Sequence, residues 1–573
     1  MSAPAHAAGT AAPSAAAVPR SGWLFGAVPD LLLGCGLGYA IVLAALCFYG
    51  PTVRDSLSPG VLPFVTVLIG APHYGATLLR VYERREDRRA YALFAVHATW
   101  ILALLFVVAT RWIFLGSLLL TIYLTWSPWH YTGQNYGLAV MFLRRRGVAL
   151  DAVTKRWLYV AFVLSYGVVF VALHSHAPGA EYTPPFYVAE GYRVLSLDLP
   201  SAAGSVLFYV ALGGSVLATV VAALRLLRRA SLRAIGPSLA LVGTQALWFG
   251  LPVAMRRFGV LGGLEPFAPQ YAGWYFLWAA LAHSIQYVWV TSYFARSAKG
   301  FPGLAPYFGK VLLAGAAIWC VPALLFAPDL LGRIPYDAGL SALVATVVNL
   351  HHFVLDGAIW KLRDGRIARI LVRSETPGGA SAPPAARGLL RPAVAVWALG
   401  ALSLFVFAAS FFETEIGLRT AYLRDDVVRM RTALQRLDWM GRESAANHLN
   451  FGRVLAGRGD PAAAIREYQR SVELFPGPDA WIAEADALER LGRSREARTA
   501  IERALALAPD EPALLYRAGS MANRAGDRDQ AIARLEKAVA LDPDRKLYRV
   551  ALDRLRSRGG AAPVDARGAA TEP

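Results

Sequence analysis

The sequence predicts an all-α protein in two parts: a polytopic transmembrane helix bundle of eleven spans, then an α-solenoid. Three observations predict it. Of 573 residues, 56% are hydrophobic and 17% charged, with a mean hydropathy of +0.40, too apolar for a soluble chain of this length. Eleven apolar runs of spanning length alternate with short basic loops. Beyond residue 412 the runs give way to an Ala/Leu/Arg/Glu-rich helical sequence with a period of 33–34 residues.

Residues 1–21 are Ala/Pro-rich and lack the order of a signal peptide, so a disordered lead-in is expected before an uncleaved first span. The membrane domain is expected over 22–412. Its runs fall near 24–49, 60–79, 90–109, 112–143, 157–174, 203–224, 234–255, 272–295, 309–328, 339–360 and 392–412. The fourth is long, and Pro128 and Gly133 near its middle predict a kink or an unwound turn. Loops after spans two, four, six, eight and ten carry 5, 5, 4, 3 and 7 Lys/Arg, counting Lys310 at the edge of span nine with the eighth loop, against 1, 1, 1, 2 and 1 in the others. By the positive-inside rule this places the N-terminus in the cytoplasm and the chain after span eleven outside, in a bacterial-type inner membrane. The net charge of +18 therefore reads as a topology signal, and no nucleic-acid partner is expected. Cys35, Cys47 and Cys320 lie scattered in apolar segments and form no disulfide framework or CxxC site.

The chemistry is carried by histidines. His351 and His352 sit together in an apolar run, and Asp356 follows His352 by one helical turn. His73, His130 and His283 lie in the cytoplasmic halves of spans two, four and eight, so all five imidazoles can share one layer; His97 and Asp30 fall at similar depth. Each ionisable group in a bilayer is costly and needs partners, which marks the set as a candidate site rather than chance. A lone membrane histidine is otherwise a helix–helix hydrogen bond. Neutral imidazoles with a carboxylate suit non-haem iron or another transition metal: His73, His130, His283, His351 and His352 are candidate ligands, and Asp356 a candidate ligand or catalytic group. Gln134 and Gln286 are candidate partners that fix histidine tautomers. The alternatives are haem held by a pair such as His73/His283 or His130/His352, or a proton relay. A metal-dependent oxidoreductase acting on a membrane lipid or isoprenoid is the function expected of the first. Walker A, GxGxxG and HExxH patterns are absent from usable contexts; the Gly/Pro-interrupted spans keep a secondary transporter open as an alternative, although no paired halves are evident.

This arrangement loosely resembles the polytopic histidine-rich carotenoid-cleaving oxygenases and, more distantly, the membrane desaturase–hydroxylase class. It lacks the HxxxH and HxxHH boxes of the latter, so no family residues carry over.

After a Pro/Gly-rich loop at 374–388 and the last span, residues 413–445 are expected to form a connecting helix, with a degenerate half repeat as the alternative for about 415–440. Gly459, Gly492 and Gly526 then recur with Ala464, Ala497, Ala531 and with Pro476, Pro509, Pro543. These columns, with Gly459-Asp460-Pro461, Leu491-Gly492 and Ala525-Gly526-Asp527, resemble the tetratricopeptide repeat family. The resemblance implies three repeats and a capping helix over 446–558, a concave face for a protein or peptide partner, and a tail from 559 to 573 expected to be disordered. A membrane half followed by such repeats also resembles the layout of repeat-containing O-mannosyltransferases, which implies a glycosyl-transfer alternative. The first outer loop offers only Asp55 for that chemistry. The non-enzymatic alternative is a membrane-anchored scaffold or assembly protein.

Overall fold

A computed structural model describes residues 22–56, 61–83, 85–175, 192–264, 267, 272–298, 300–326, 339–360, 365–372 and 392–557. The expected disordered ends and the 374–388 loop lie outside them. The chain divides into two compact units, residues 1–320 with 345–402, and 321–344 with 403–573. Among the described residues the protein is all-α, with a single isolated bridge, Ser175 to Leu199.

The first unit begins with Asp30, whose carboxylate accepts from the Phe25 backbone N–H and Trp289 Nε1, each at 3.1 Å. That pairing folds residues 22–34 into a short helix and a π turn, Asp30–Gly34. The chain then bends by 60° into helix α1, Leu37–Ser56. Gly36 makes the corner. Its φ is +80°, and a Cβ there would lie 2.4 Å from Thr244 Oγ. Then follow α2 (Val61–Tyr82), a π turn (Leu93–Ala98) leading into α3 (Thr99–Ala109), and α4 (Ile113–Arg145). Next come α5 (Ala152–His174), α6 (Ser201–Leu227), α7 (Leu232–Gln245) and α8 (Leu251–Phe258), the last two joined by another π turn. Helices α9 (Ala272–Arg296), α10 (Leu304–Phe326), α11 (Ser341–Ile359), α12 (Gly365–Leu371) and α13 (Pro392–Phe412) follow.

Each of the eleven apolar runs is helical over most of its described residues, yet only seven described helices are long and apolar enough to cross a membrane, eight with the bent pair around Gly36. Helices α4 and α9 fall outside that set for a physical reason. They carry His130, Thr132, Gln134 and Asn135, and His283, Ser284 and Gln286. Of the kink or unwound turn expected in α4, the unwound turn does not form: the helix runs continuously through Pro128 and Gly133. Thr132 Oγ back-bonds one turn along the helix to the Pro128 carbonyl at 2.7 Å.

In the second unit the expected connecting helix is broken. Asp425 adopts φ +53°, and Asp426 caps a new helix, α14 (Val427–Trp439), by accepting from the Arg429 N–H at 3.0 Å. Met430, Ala433, Leu434 and Leu437 of α14 are buried in the repeat core, which is why a free linker helix does not form. Three helix pairs follow, α15 (Ala445–Gly457) with α16 (Pro461–Leu474), α17 (Pro478–Arg490) with α18 (Ser494–Leu507), and α19 (Pro512–Arg524) with α20 (Arg528–Leu541). Helix α21 (Lys546–Ser557) closes the stack. Gly459, Gly492 and Gly526 each sit just past the first helix of a pair with φ +85°, +73° and +83°, so the sequence period is a recurring left-handed turn.

His448 on α15 ties this unit together. Its Nδ1 lies 2.8 Å from Glu467 and its Nε2 3.3 Å from Glu443, which also pairs with Arg470. Burial opposes a charged imidazole, but the nearby Glu443 carboxylate and the hydrogen bond to Glu467 outweigh it and raise the His448 pKa to about 9. Burial likewise opposes ionisation of Glu443, but bonds from His448 and Arg470 hold it at about 2. The imidazole's contribution is complete below its ordinary value of 6.5 and lost as pH rises through about 9; that of Glu443 is complete above 4.5 and lost as pH falls toward 2. His448→Gln is therefore expected to lower the melting temperature of this unit by about 5 °C at pH 6, checked by calorimetry of the full-length protein. The difference should shrink toward pH 10; a constant difference would mean the ion pairs contribute nothing.

Candidate metal centre

Helices α2, α4, α9 and α11 bring His73, His130, His283 and His352 into one cluster inside the first unit. Ring centroids lie 4.2 Å apart for His73 and His352, 4.9 Å for His73 and His283, and 5.0 Å for His130 with each of His283 and His352. His73, His283 and His352 are each no more than 2% exposed. Asp356, one turn after His352, reaches the same place.

Two ligand groups emerge, sharing His352: His130–His352–Asp356 and His73–His283–His352, in each of which the donor atoms lie within 4.8 Å of one another. In the first, His352 Nε2 is 3.2 Å from His130 Nε2 and 3.4 Å from Asp356 Oδ2, and His130 Nε2 is 3.8 Å from that oxygen. Ligands at 2.0–2.1 Å from one tetrahedral ion stand about 3.3 Å apart, so the spacing is that of a coordination shell. Without an ion or a proton among them, converging lone pairs repel one another.

The hydroxyls behind Asp356 set the histidine tautomer. Thr77 Oγ and Tyr287 Oη donate to Asp356 Oδ1 at 3.0 and 2.6 Å and lie 2.6 Å apart, while Trp360 Nε1 donates to Tyr287 Oη at 2.9 Å. With its proton directed there, Thr77 Oγ accepts from His352 Nδ1–H at 3.0 Å. The other nitrogen, Nε2, then carries the lone pair and faces His130. In the second group, His73 Nδ1 and both nitrogens of His283 are buried with no hydrogen-bond partner. His283 is instead held by Tyr131, stacked at 4.0 Å.

Some expectations differ. His351 faces away from the cluster: its Nε2 meets Thr99 Oγ at 2.9 Å and Tyr82 Oη at 3.4 Å. Adjacent residues on a helix point about 100° apart, so one histidine of the pair turns to a different interface. His97 lies on the π turn before α3, outside either ligand group, and Asp30 is bound to backbone and indole N–H groups as above. Gln134 and Gln286 do not fix histidine tautomers. Gln134 donates to Gln286, which donates to the Gly34 carbonyl at 2.8 Å and to Asn135 at 3.1 Å; Asn135 donates to Gln245, and Gln245 to Thr132. This chain of amides stitches α4, α7, α9 and the π turn together.

Sequence reasoning passes over Thr77, and it reads Tyr287 as packing, interfacial belt or the lining of an apolar pocket rather than as part of the candidate site. Both follow a cluster histidine by four residues, His73 and His283, just as Asp356 follows His352. Positions i and i+4 share a face, so the helices that aim three histidines inward also aim these three oxygen groups at one another.

A cavity of about 350 Å³ opens beside the cluster, walled by Trp126, Trp129, Phe353, Met141, Ile367 and Leu371, with His130, Tyr287 and Asp356 reaching into it.

In the second unit, residues 449–512 and again 482–546 match the tetratricopeptide repeat family, two matches displaced by one repeat length. Residues 449–546 are thus tetratricopeptide repeats, a class of helical repeat that binds proteins. Two solved structures are similar. One is the crystal structure of MamA, 21% identical, covering 26% of this chain and 85% of that one with a TM-score of 0.23. The other is YrrB, described as a TPR protein with an unusual peptide-binding site, 21% identical over 28% of this chain and 82% of that one with a TM-score of 0.22. No curated protein sequence matches the chain.

Proposed function

We propose that the protein is a polytopic membrane metalloenzyme whose first unit holds non-haem iron, or another transition metal, on His130, His352 and Asp356. The observation that carries this is the spacing of those three donors, 3.2–3.8 Å, two of which, on His130 and Asp356, reach the wall of an apolar cavity. Two histidines and one carboxylate with open positions suit non-haem Fe(II) in oxygenases. His73 and His283 form a second face of the cluster that can widen the coordination shell. Spacing argues against haem: two imidazoles bound on opposite sides of one iron have ring centroids roughly 6 Å apart with a macrocycle between them. The pairs His73/His283 and His130/His352 stand at 4.9 and 5.0 Å, with further side chains against them.

The reaction class that fits is oxidation of a lipid or isoprenoid, with the metal supplying redox chemistry and the aromatic walls excluding water. Alternation of basic loops supports an inner-membrane location, with the repeat unit on the extracytoplasmic side docking a protein or peptide partner. The test is elemental analysis and an absorption spectrum of protein purified in detergent without chelators. About one equivalent of iron per chain and no Soret band are expected. A Soret band, or no metal even after reconstitution, would overturn the reading.

A further inference from the structure

The cavity beside His130 is a long slot rather than a bowl. Its α4 wall runs from Trp126 to Met141, about 22 Å along the helix axis. Three glycines line it, Gly133 and Gly137 on α4 and Gly357 on α11, and a Cβ built on any of them meets no atom within 4 Å. Each side chain left out is therefore space given to the slot. Gly133 and Gly357 are solvent-exposed, and Trp129 beside them is 38% exposed, so the slot opens sideways between α4 and α11.

We propose that this slot binds one extended hydrocarbon chain, acyl or prenyl, which enters from the bilayer past Gly133 and Gly357 and lies along Gly137 toward Met141. Its length along α4 and the side chains left out at Gly133, Gly137 and Gly357 suit one extended chain. From His130 to Met141 the slot takes roughly a dozen methylene groups end to end. Leu371 and Ile367 of α12 close the far end, so chain length is read by how far the tail reaches from His130. The proposal rests on the metal reading only for what happens at His130, and not for binding.

The experiment uses full-length protein in lipid nanodiscs with two probes, a sixteen-carbon alcohol and farnesol, each bearing a diazirine at the chain end. Photocrosslinks are mapped by mass spectrometry and metal is measured on the same samples. Crosslinks are expected within 137–141 and 367–371, competed by the unlabelled chain. Strong labelling by one probe alone identifies the chain as acyl or prenyl. Gly137→Leu should lower labelling at least tenfold with metal content unchanged. Gly213→Leu, at another position where a Cβ meets no atom within 4 Å, should leave labelling intact. Labelling spread evenly over the protein surface, or no loss in Gly137→Leu, would overturn the slot. Competition by chains of graded length in the unaltered protein tests the same claim if that variant does not fold. Labelled slots in metal-free protein would leave the slot standing and sink the metalloenzyme.

Discussion

His352→Ala is expected to abolish metal binding, at least 100-fold in affinity, while His351→Ala leaves it within a few-fold of the unaltered protein. The two residues are neighbours with similar burial, at 2% and 6% exposure, so a loss caused by general damage to α11 would strike both. What separates them is direction. His352 Nε2 faces His130 and Asp356, and His351 Nε2 bonds to Thr99 and Tyr82. Thr77→Val should fall between, costing about 10- to 100-fold, because it removes the acceptor that holds the proton on His352 Nδ1 without removing a ligand. Its second effect is on Asp356, which loses one of two hydroxyl donors. Metal titration of the three variants in detergent gives the order directly. Equal losses in His351→Ala and His352→Ala would place the metal elsewhere or remove it.

The two histidine variants also show how far the site was legible in the sequence. Ionisable residues in apolar runs are conspicuous because desolvation makes each one costly, and four of the five imidazoles singled out do meet. The i+4 spacing that linked His352 to Asp356 applies equally to His73 with Thr77 and His283 with Tyr287, so the oxygen side of the site was present in the same pattern. Threonine is common enough in apolar helices to pass unnoticed, and a tyrosine there reads first as packing or interfacial belt. Rotation of each helix about its axis was not legible. That rotation decides that His351 turns away and that Gln134 and Gln286 find each other. Spacing along one helix carries no information about the neighbour's azimuth. The repeat unit was more transparent because its helices follow a fixed period, with glycines marking the left-handed turns. The break at Asp425 departs from the single long helix expected there, while the packing of α14 in the repeat core is that of the degenerate half repeat weighed as its alternative.

Helix contact around α2 gives the largest stability effect. Gly315 of α10 lies against α2 so closely that an added Cβ would be 1.6 Å from the Ala71 carbonyl oxygen, and Gly75 of α2 returns the contact, its Cβ lying 1.8 Å from the Val311 carbonyl oxygen. Backbone stands on both sides, so neither helix can yield by a side-chain rotation. Gly315→Ala must push the helices apart, and overpacking of this kind costs about 3 kcal/mol or more. Elsewhere on α10, Gly309 has open space where its Cβ would go, and alanine there should gain up to about 1 kcal/mol from helix propensity. The opposite signs expected of one chemical change on one helix isolate the contact from propensity. Thermal unfolding of both variants in detergent measures it. The displacement also reaches the candidate site, because Gly75 lies between His73 and Thr77 on α2. A shift of α2 moves the hydroxyl that orients His352 together with one imidazole of the cluster. Gly315→Ala should therefore weaken metal binding in the fraction that remains folded, although it touches no ligand. Full stability in that variant would mean that α2 and α10 are not in backbone contact, and the geometry of Thr77 toward Asp356 would lose its support.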